Sequence, residues 1–256
     1  MEGYEKVSCH GSVPVAMKIR RVLITIGAGF FVLAVALSAW KLFANEQSET
    51  MGQDGVKSSP ERVEPYPVHE SITTTVFWVG EEANPVTNEN IHNNSSAWVR
   101  DWEAAYGGID DPSDRCGYDP CGFEPKENPF YFALPFGDYD KNGPKPASEI
   151  DVVPWFDGAV RAGESILKNR WIQIVYQNKT AYAQWEDVGP FGDDDASYVF
   201  GTDKPKSTRA GLDVSPAVAD FLGFDGRAKT SWRFVDDSEV PSGPWREIIT
   251  TSGPRW

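Results

Sequence analysis

Gly211-Leu212-Asp213-Val214-Ser215-Pro216-Ala217-Val218-Ala219-Asp220-Phe221-Leu222-Gly223 is a strand, a turn and a helix in thirteen residues. Ala210–Asp213 is short and largely apolar, as a buried strand would be. Ser215 is placed to cap the helix that follows, and Pro216 fits its first position, where no amide hydrogen bond is lost. Gly223 stops the helix, since glycine adopts the left-handed conformation at little cost. Asp213 thus stands at a strand end, between apolar Leu212 and Val214 and just before a helix N-terminus.

Working outward, β signals dominate. Ser71–Val79 (SITTTVFWV) is rich in β-branched and aromatic residues and predicts a strand. Pro129–Leu134 is a short apolar run. Arg170–Tyr176 and Thr180–Trp185, separated by Gln177-Asn178-Lys179, predict a hairpin. Tyr198–Phe200 and Thr230–Val235 predict further strands. Helical spacing of Trp98, Trp102, Ala105 and Tyr106 predicts a helix over 95–106, capped by Ser95 or Ser96 and ended by Gly107-Gly108. A short helix is expected around 158–167. Many short strands and one well-capped helix argue for a small, mainly β barrel with insertions at about 81–128 and 138–168.

Val22–Trp40 holds 19 residues without a charge. As a helix it would span ~28 Å, close to a bilayer core. Lys18, Arg20 and Arg21 precede it, while Glu46, Glu49 and Asp54 follow soon after. The positive-inside tendency therefore keeps residues 1–21 cytoplasmic and exports the rest to the periplasmic or extracellular side. The alternative is a cleaved signal peptide ending near Ala39 or Ala44; both place the domain outside. Residues 45–70 are polar and aperiodic, as expected of a linker spanning 41–70, with the domain over 71–256.

The chain carries a net charge of -14, yet residues 1–44 hold five basic residues against two acidic ones. The exported part is therefore strongly acidic, which argues against a nucleic-acid partner. Cys116 and Cys121 are five residues apart, and a disulfide between them suits an exported domain. Zinc would need two more ligands, and there are only three His (His10, His69, His92) and no second Cys pair. Asp138, Asp140, Asn142, Gly143 and Glu149 follow the spacing of a calcium-binding loop, but Pro135, Pro144 and Pro146 do not suit its flanking helices. A solvated acidic loop is the expectation, with no metal and no cofactor.

Asp187-Val188-Gly189-Pro190-Phe191, followed by the stretch quoted at the outset, resembles the D-x-G-P-F … (I/L)-D-(L/V)-S-x-A-x-A-x-x-L-G signature of the rare lipoprotein A type of domain. Leu134-Pro135-Phe136-Gly137 matches that family's upstream motif. The resemblance covers roughly residues 71–80 and 129–236. It implies a six-stranded double-psi β-barrel, a fold shared with family 45 endoglucanases and with expansins, which loosen walls without hydrolysis. One departure stands out: the family's Ala-Ala-His before the Leu-Pro-Phe-Gly motif is replaced by Phe130-Tyr131-Phe132-Ala133, with no His.

The resemblance implies action on cell-wall glycan, peptidoglycan or a related polysaccharide. The enzyme would be a lytic transglycosylase or a glycoside hydrolase; the alternative is a non-catalytic, expansin-like polysaccharide-binding or structural envelope module. Cutting a glycosidic bond requires a proton donor, and an inverting hydrolase adds a second carboxylate. Asp213 is the first candidate acid. Asp187 matches the family's loop Asp, and Glu81 stands nearest the catalytic Asp that follows the Thr-rich first strand of the endoglucanases. Aromatic rings stack on sugars, which makes Trp78, Trp185 and Tyr182 candidate contacts, with core packing as the competing role.

Overall fold

The computed structural model describes residues 66–83, 92–140, 142–159 and 161–255. The expected cytoplasmic segment, the membrane helix over 22–40 and most of the linker lie outside these residues. Among the described residues, no helix is long and apolar enough to cross a membrane.

Six strands close into a barrel: β1 (His69–Val76), β2 (Tyr131–Leu134), β3 (Trp171–Tyr176), β4 (Lys179–Val188), β5 (Leu212–Val214) and β6 (Arg227–Val235). Their order around the barrel is β1-β6-β3-β4-β2-β5, returning to β1. The β1–β5 and β4–β2 pairings are parallel and the other four antiparallel. β3 and β4 form the expected hairpin, with a two-residue turn at Gln177-Asn178, since Tyr176 pairs with Lys179. Alternation sends Ile72, Phe132, Ile174, Leu212 and Val214 inward, all at most 2% exposed. The Thr74 and Thr230 hydroxyls, also buried, satisfy each other at 2.7 Å.

Among the described residues, the α-helices are few and short: α1 (Trp102–Tyr106), α2 (Ala147–Ile150), α3 (Ala196–Val199) and α4 (Pro216–Leu222). α4 matches the opening segment: the Ser215 hydroxyl accepts from the Val218 amide and Gly223 closes the helix at φ 84°.

Elsewhere the local signals are overridden. The helix expected over 95–106 is only α1, because the Ser96 hydroxyl takes the Trp98 and Val99 amides into a turn and Asp101 provides the cap. Val99 pairs instead with Arg255 in an isolated bridge. Among the described residues of 158–167 no helix forms; turns and bends run there, and the short helix lies earlier, at α2. Residues 198–200 are not a strand: Tyr198 and Val199 belong to α3, whose Tyr198 hydroxyl donates to the Gly211 carbonyl and accepts from the Trp232 indole. The last residues of the expected linker are structured, since β1 begins at His69.

The first insertion builds a second core on the outside of the barrel. Tyr131 faces outward, opposite in sense to Phe132, and meets Phe77, Trp102 and Tyr106 edge to face. Its hydroxyl donates to Asp110 (2.8 Å) and accepts from the Val79 amide (3.1 Å). Asp110 is ion-paired with Arg115. Arg115 lies on a small ribbon, Arg115–Cys116 against Asp119–Pro120, closed by the Cys116–Cys121 disulfide. The C-terminal segment covers another part of the outer face: Gln184 bonds Asn128 and both backbone groups of Thr250 at 2.9–3.0 Å.

Candidate functional site

β2 is flanked on both sides by an acid-bearing strand. Ala133 pairs with Asp187 of β4 on one side and with Asp213 of β5 on the other. Asp213 in turn pairs with Thr75 of β1. Paired residues share a side of the sheet, so Asp187, Ala133, Asp213 and Thr75 form one row on the outer face. Two strand spacings put the two Asp backbones roughly 9–10 Å apart. Ala133 between them contributes only a methyl group and is itself buried, 2% exposed, so the row is covered at its centre. Both Asp residues are half-buried.

Their partners differ. The Thr75 hydroxyl donates to Asp213 Oδ1. Asp187 Oδ1 accepts two backbone amides, from Ala97 (2.7 Å) and Val188 (2.8 Å), which fix its orientation. Burial pushes the Asp213 carboxyl up to about 6, against the lowering effect of Thr75. Burial pushes Asp187 up to about 7; the Ala97 and Val188 amides oppose this and the charge of Asp213 adds to it. Each acid thus titrates close to neutral pH, a common property of groups that transfer a proton.

The other expected residues lie elsewhere. Glu81 sits five residues past the end of β1, 8% exposed, with its carboxylate on Asn93 (3.1 Å). Strand pairing does not bring it into the row. Trp78, in the same loop, is half-buried. Trp185 is fully buried, stacked on Phe132 inside the barrel. It has no face open to a sugar; its indole donates to the Asp187 carbonyl (2.8 Å) and so supports the site from within. Tyr182 is 9% exposed, packed against Trp245 and bonded to Gln173.

The calcium-loop spacing has another use. Asp138 turns inward, accepting from the Trp98 indole, the Ser165 hydroxyl and the Ile166 amide at 2.7–2.8 Å. Among the described residues, no group of three or more His, Cys, Asp or Glu is arranged to hold a metal ion.

Four contributors to the site escaped sequence reasoning: Thr75, Ala133, Ala97, and the buried Lys168–Glu186 ion pair beside Asp187. Thr75 lies in the Thr-rich stretch already noted, but its parallel pairing with β5 has no local signal. No family model matches the chain, and no curated protein matches it.

Proposed function

We propose that this chain is a membrane-anchored, extracytoplasmic double-psi β-barrel protein that acts on cell-wall glycan, with Asp213 as acid/base and Asp187 as its partner. One observation carries the proposal: two half-buried carboxyls, both titrating near neutrality, flank a single alanine in one row on the outside of the barrel. Inverting glycosidases use two carboxyl groups ~6.5–9.5 Å apart to admit a water, and the row supplies two carboxyls on strands one strand removed from each other. A lytic transglycosylase manages with one acid/base, because a hydroxyl of the sugar itself is the nucleophile. Titrating at about 6 and about 7, the pair together holds about one proton near pH 6.5. Asp213, engaged by Thr75 at Oδ1, keeps Oδ2 for proton transfer, whereas Asp187 is held rigid by two amides. The charge-free residues 22–40 and the basic residues before them support the anchor and its orientation.

One contact favours a second reading, a wall-binding module without catalysis: the Ala97 amide already sits on Asp187, so the flanking loop covers part of the row. The full chain and its Asp213→Asn variant are to be incubated with peptidoglycan sacculi and with cellulose. The proposal expects soluble fragments from the parent and at least ~100-fold fewer from the variant. Polysaccharide bound by the parent without release of fragments establishes the binding module instead. Equal release by both proteins removes Asp213 from the chemistry. Activity of a C-terminal reporter confined to the cytoplasm would overturn the orientation.

A further inference from the structure

β4 carries one residue more than β2 across their shared ladder. Trp185 pairs with Phe132 and Asp187 with Ala133, so Glu186 is the extra residue of a β-bulge. Phe132 and Ala133 point to opposite sides of β2, and each shares its side with its partner. Trp185 therefore faces the interior and Asp187 the outer surface, although the two are only two residues apart. Without the bulge, Asp187 would pair with Leu134 and be drawn into the apolar interior beside Trp185.

The bulge is tied down at Glu186. That residue is 1% exposed, and its carboxylate is ion-paired with Lys168, itself 6% exposed. Lys168 is held in turn: its amide donates to Ser165 Oγ (2.9 Å) and its ammonium also reaches Asn169 Oδ1 (3.3 Å). The Asn169 amide donates to the Trp185 carbonyl (2.9 Å), and the Trp185 amide to the Arg170 carbonyl (2.8 Å). The anchoring segment and the bulged segment are thus stitched together through Trp185, on one side of the ion pair. Glu127, 3% exposed and bonded to Arg255 and Ser252, adds a further negative charge facing Glu186, and Asp187 adds another. A buried pair among such neighbours is a poor source of net stability, because desolvation offsets the attraction. Fixing a register is a role for which a buried charge is better suited.

We propose that the Lys168–Glu186 ion pair is a positioning device that pins the β4 bulge and thereby turns Asp187 out of the barrel, into line with Asp213. The consequence for catalysis rests on the glycan reading above; the geometric claim does not, and needs no substrate.

The test uses the full chain labelled with carboxyl 13C aspartate, its Asp187 signal assigned by difference from Asp187→Asn. In the parent background, Asp213→Asn is expected to lower the apparent pKa of Asp187 by about half a unit, because one like charge is removed. In a Lys168→Met/Glu186→Met background of similar volume, that lowering is expected to vanish, and in a Lys168→Arg background to persist. A second apolar pair, Lys168→Leu/Glu186→Leu, carries the test should the first not fold. Coupling that survives in the apolar pair, that is lost equally with arginine, or that is absent from the parent overturns the proposal. So does failure of both apolar pairs to fold, for the ion pair would then hold the barrel rather than one register. Coupling lost as expected in a protein that releases no glycan would sink the glycan reading alone.

Discussion

Asp213 and Asp187 hold their protons to about 6 and about 7 in the folded chain, while an unfolded aspartate releases its proton near ~3.9. Between these values the native state binds more protons than the unfolded one. The stability they contribute is therefore fully present below about pH 4 and lost as pH rises through 6 to 7. Burial raises Glu186 to about 7 as well, despite the opposing Lys168, and it acts in the same direction. His69, stacked 4.0 Å from Trp232, has the opposite sign: burial holds it down to about 4, with Lys204 adding to the effect. Its contribution is complete above about pH 6.5 and lost as pH falls through 4. From pH 6.5 to 8, comparing the parent with a variant lacking both aspartates isolates these two carboxyls, because His69 and Glu186 are common to both proteins. Denaturant unfolding across that window should show the parent losing up to about 1 kcal/mol more than Asp213→Asn/Asp187→Asn, with solvent screening of these half-exposed groups setting the lower end.

Local chemistry decides some elements and not others. α4 is the clearest success, because its cap, its proline and its terminating glycine all act within a few residues. Ser215 does more than cap: its hydroxyl accepts from both Val218 and Tyr131 amides at 3.3 Å, joining the helix to β2. Ser215→Ala should cost about 1–2 kcal/mol in chemical denaturation, and Ser215→Thr should recover most of it. The 95–106 segment shows the opposite case. Its aromatic residues follow helical spacing, but Trp98 and Trp102 are buried in different places. Trp98 meets Trp185 and Asp138, while Trp102 meets Phe77 and Tyr131. One continuous helix gives way to a turn and a short helix that serve both packing sites. Residues 198–200 fail as a strand for a similar reason, since Tyr198 is drawn into hydrogen bonds with Gly211 and Trp232.

At the scale of the described domain, there is a barrel interior and an outer core raised on Tyr131. The outer core depends on a buried charge: Asp110 is fully buried and relies on Arg115, from the disulfide-closed ribbon, to balance it. Arg115→Met should therefore cost about 3–5 kcal/mol in thermal or denaturant unfolding, because it leaves Asp110 buried and unpaired. Adding Asp110→Asn should restore part of that loss. Recovery of nothing would mean that Arg115 matters for packing rather than for charge.

Most barrel strands, the hairpin, the capped helix and the two candidate acids are legible along the chain. Each rests on short-range physics: alternation with period two, a cap, a turn, or a carboxylate set in a recognisable stretch. The site itself is not legible in that way. Ala133 stands between Asp187 and Asp213 only because β2 inserts between β4 and β5, through one parallel and one antiparallel ladder. Strict alternation puts Asp187 on the same side as Trp185; one extra residue at Glu186 reverses that, which is why the expected sugar platform became a core residue and the acid came to the surface. Pairing between distant strands and a one-residue change of register carry no local signature, because they are fixed by which contacts a closed barrel can satisfy together.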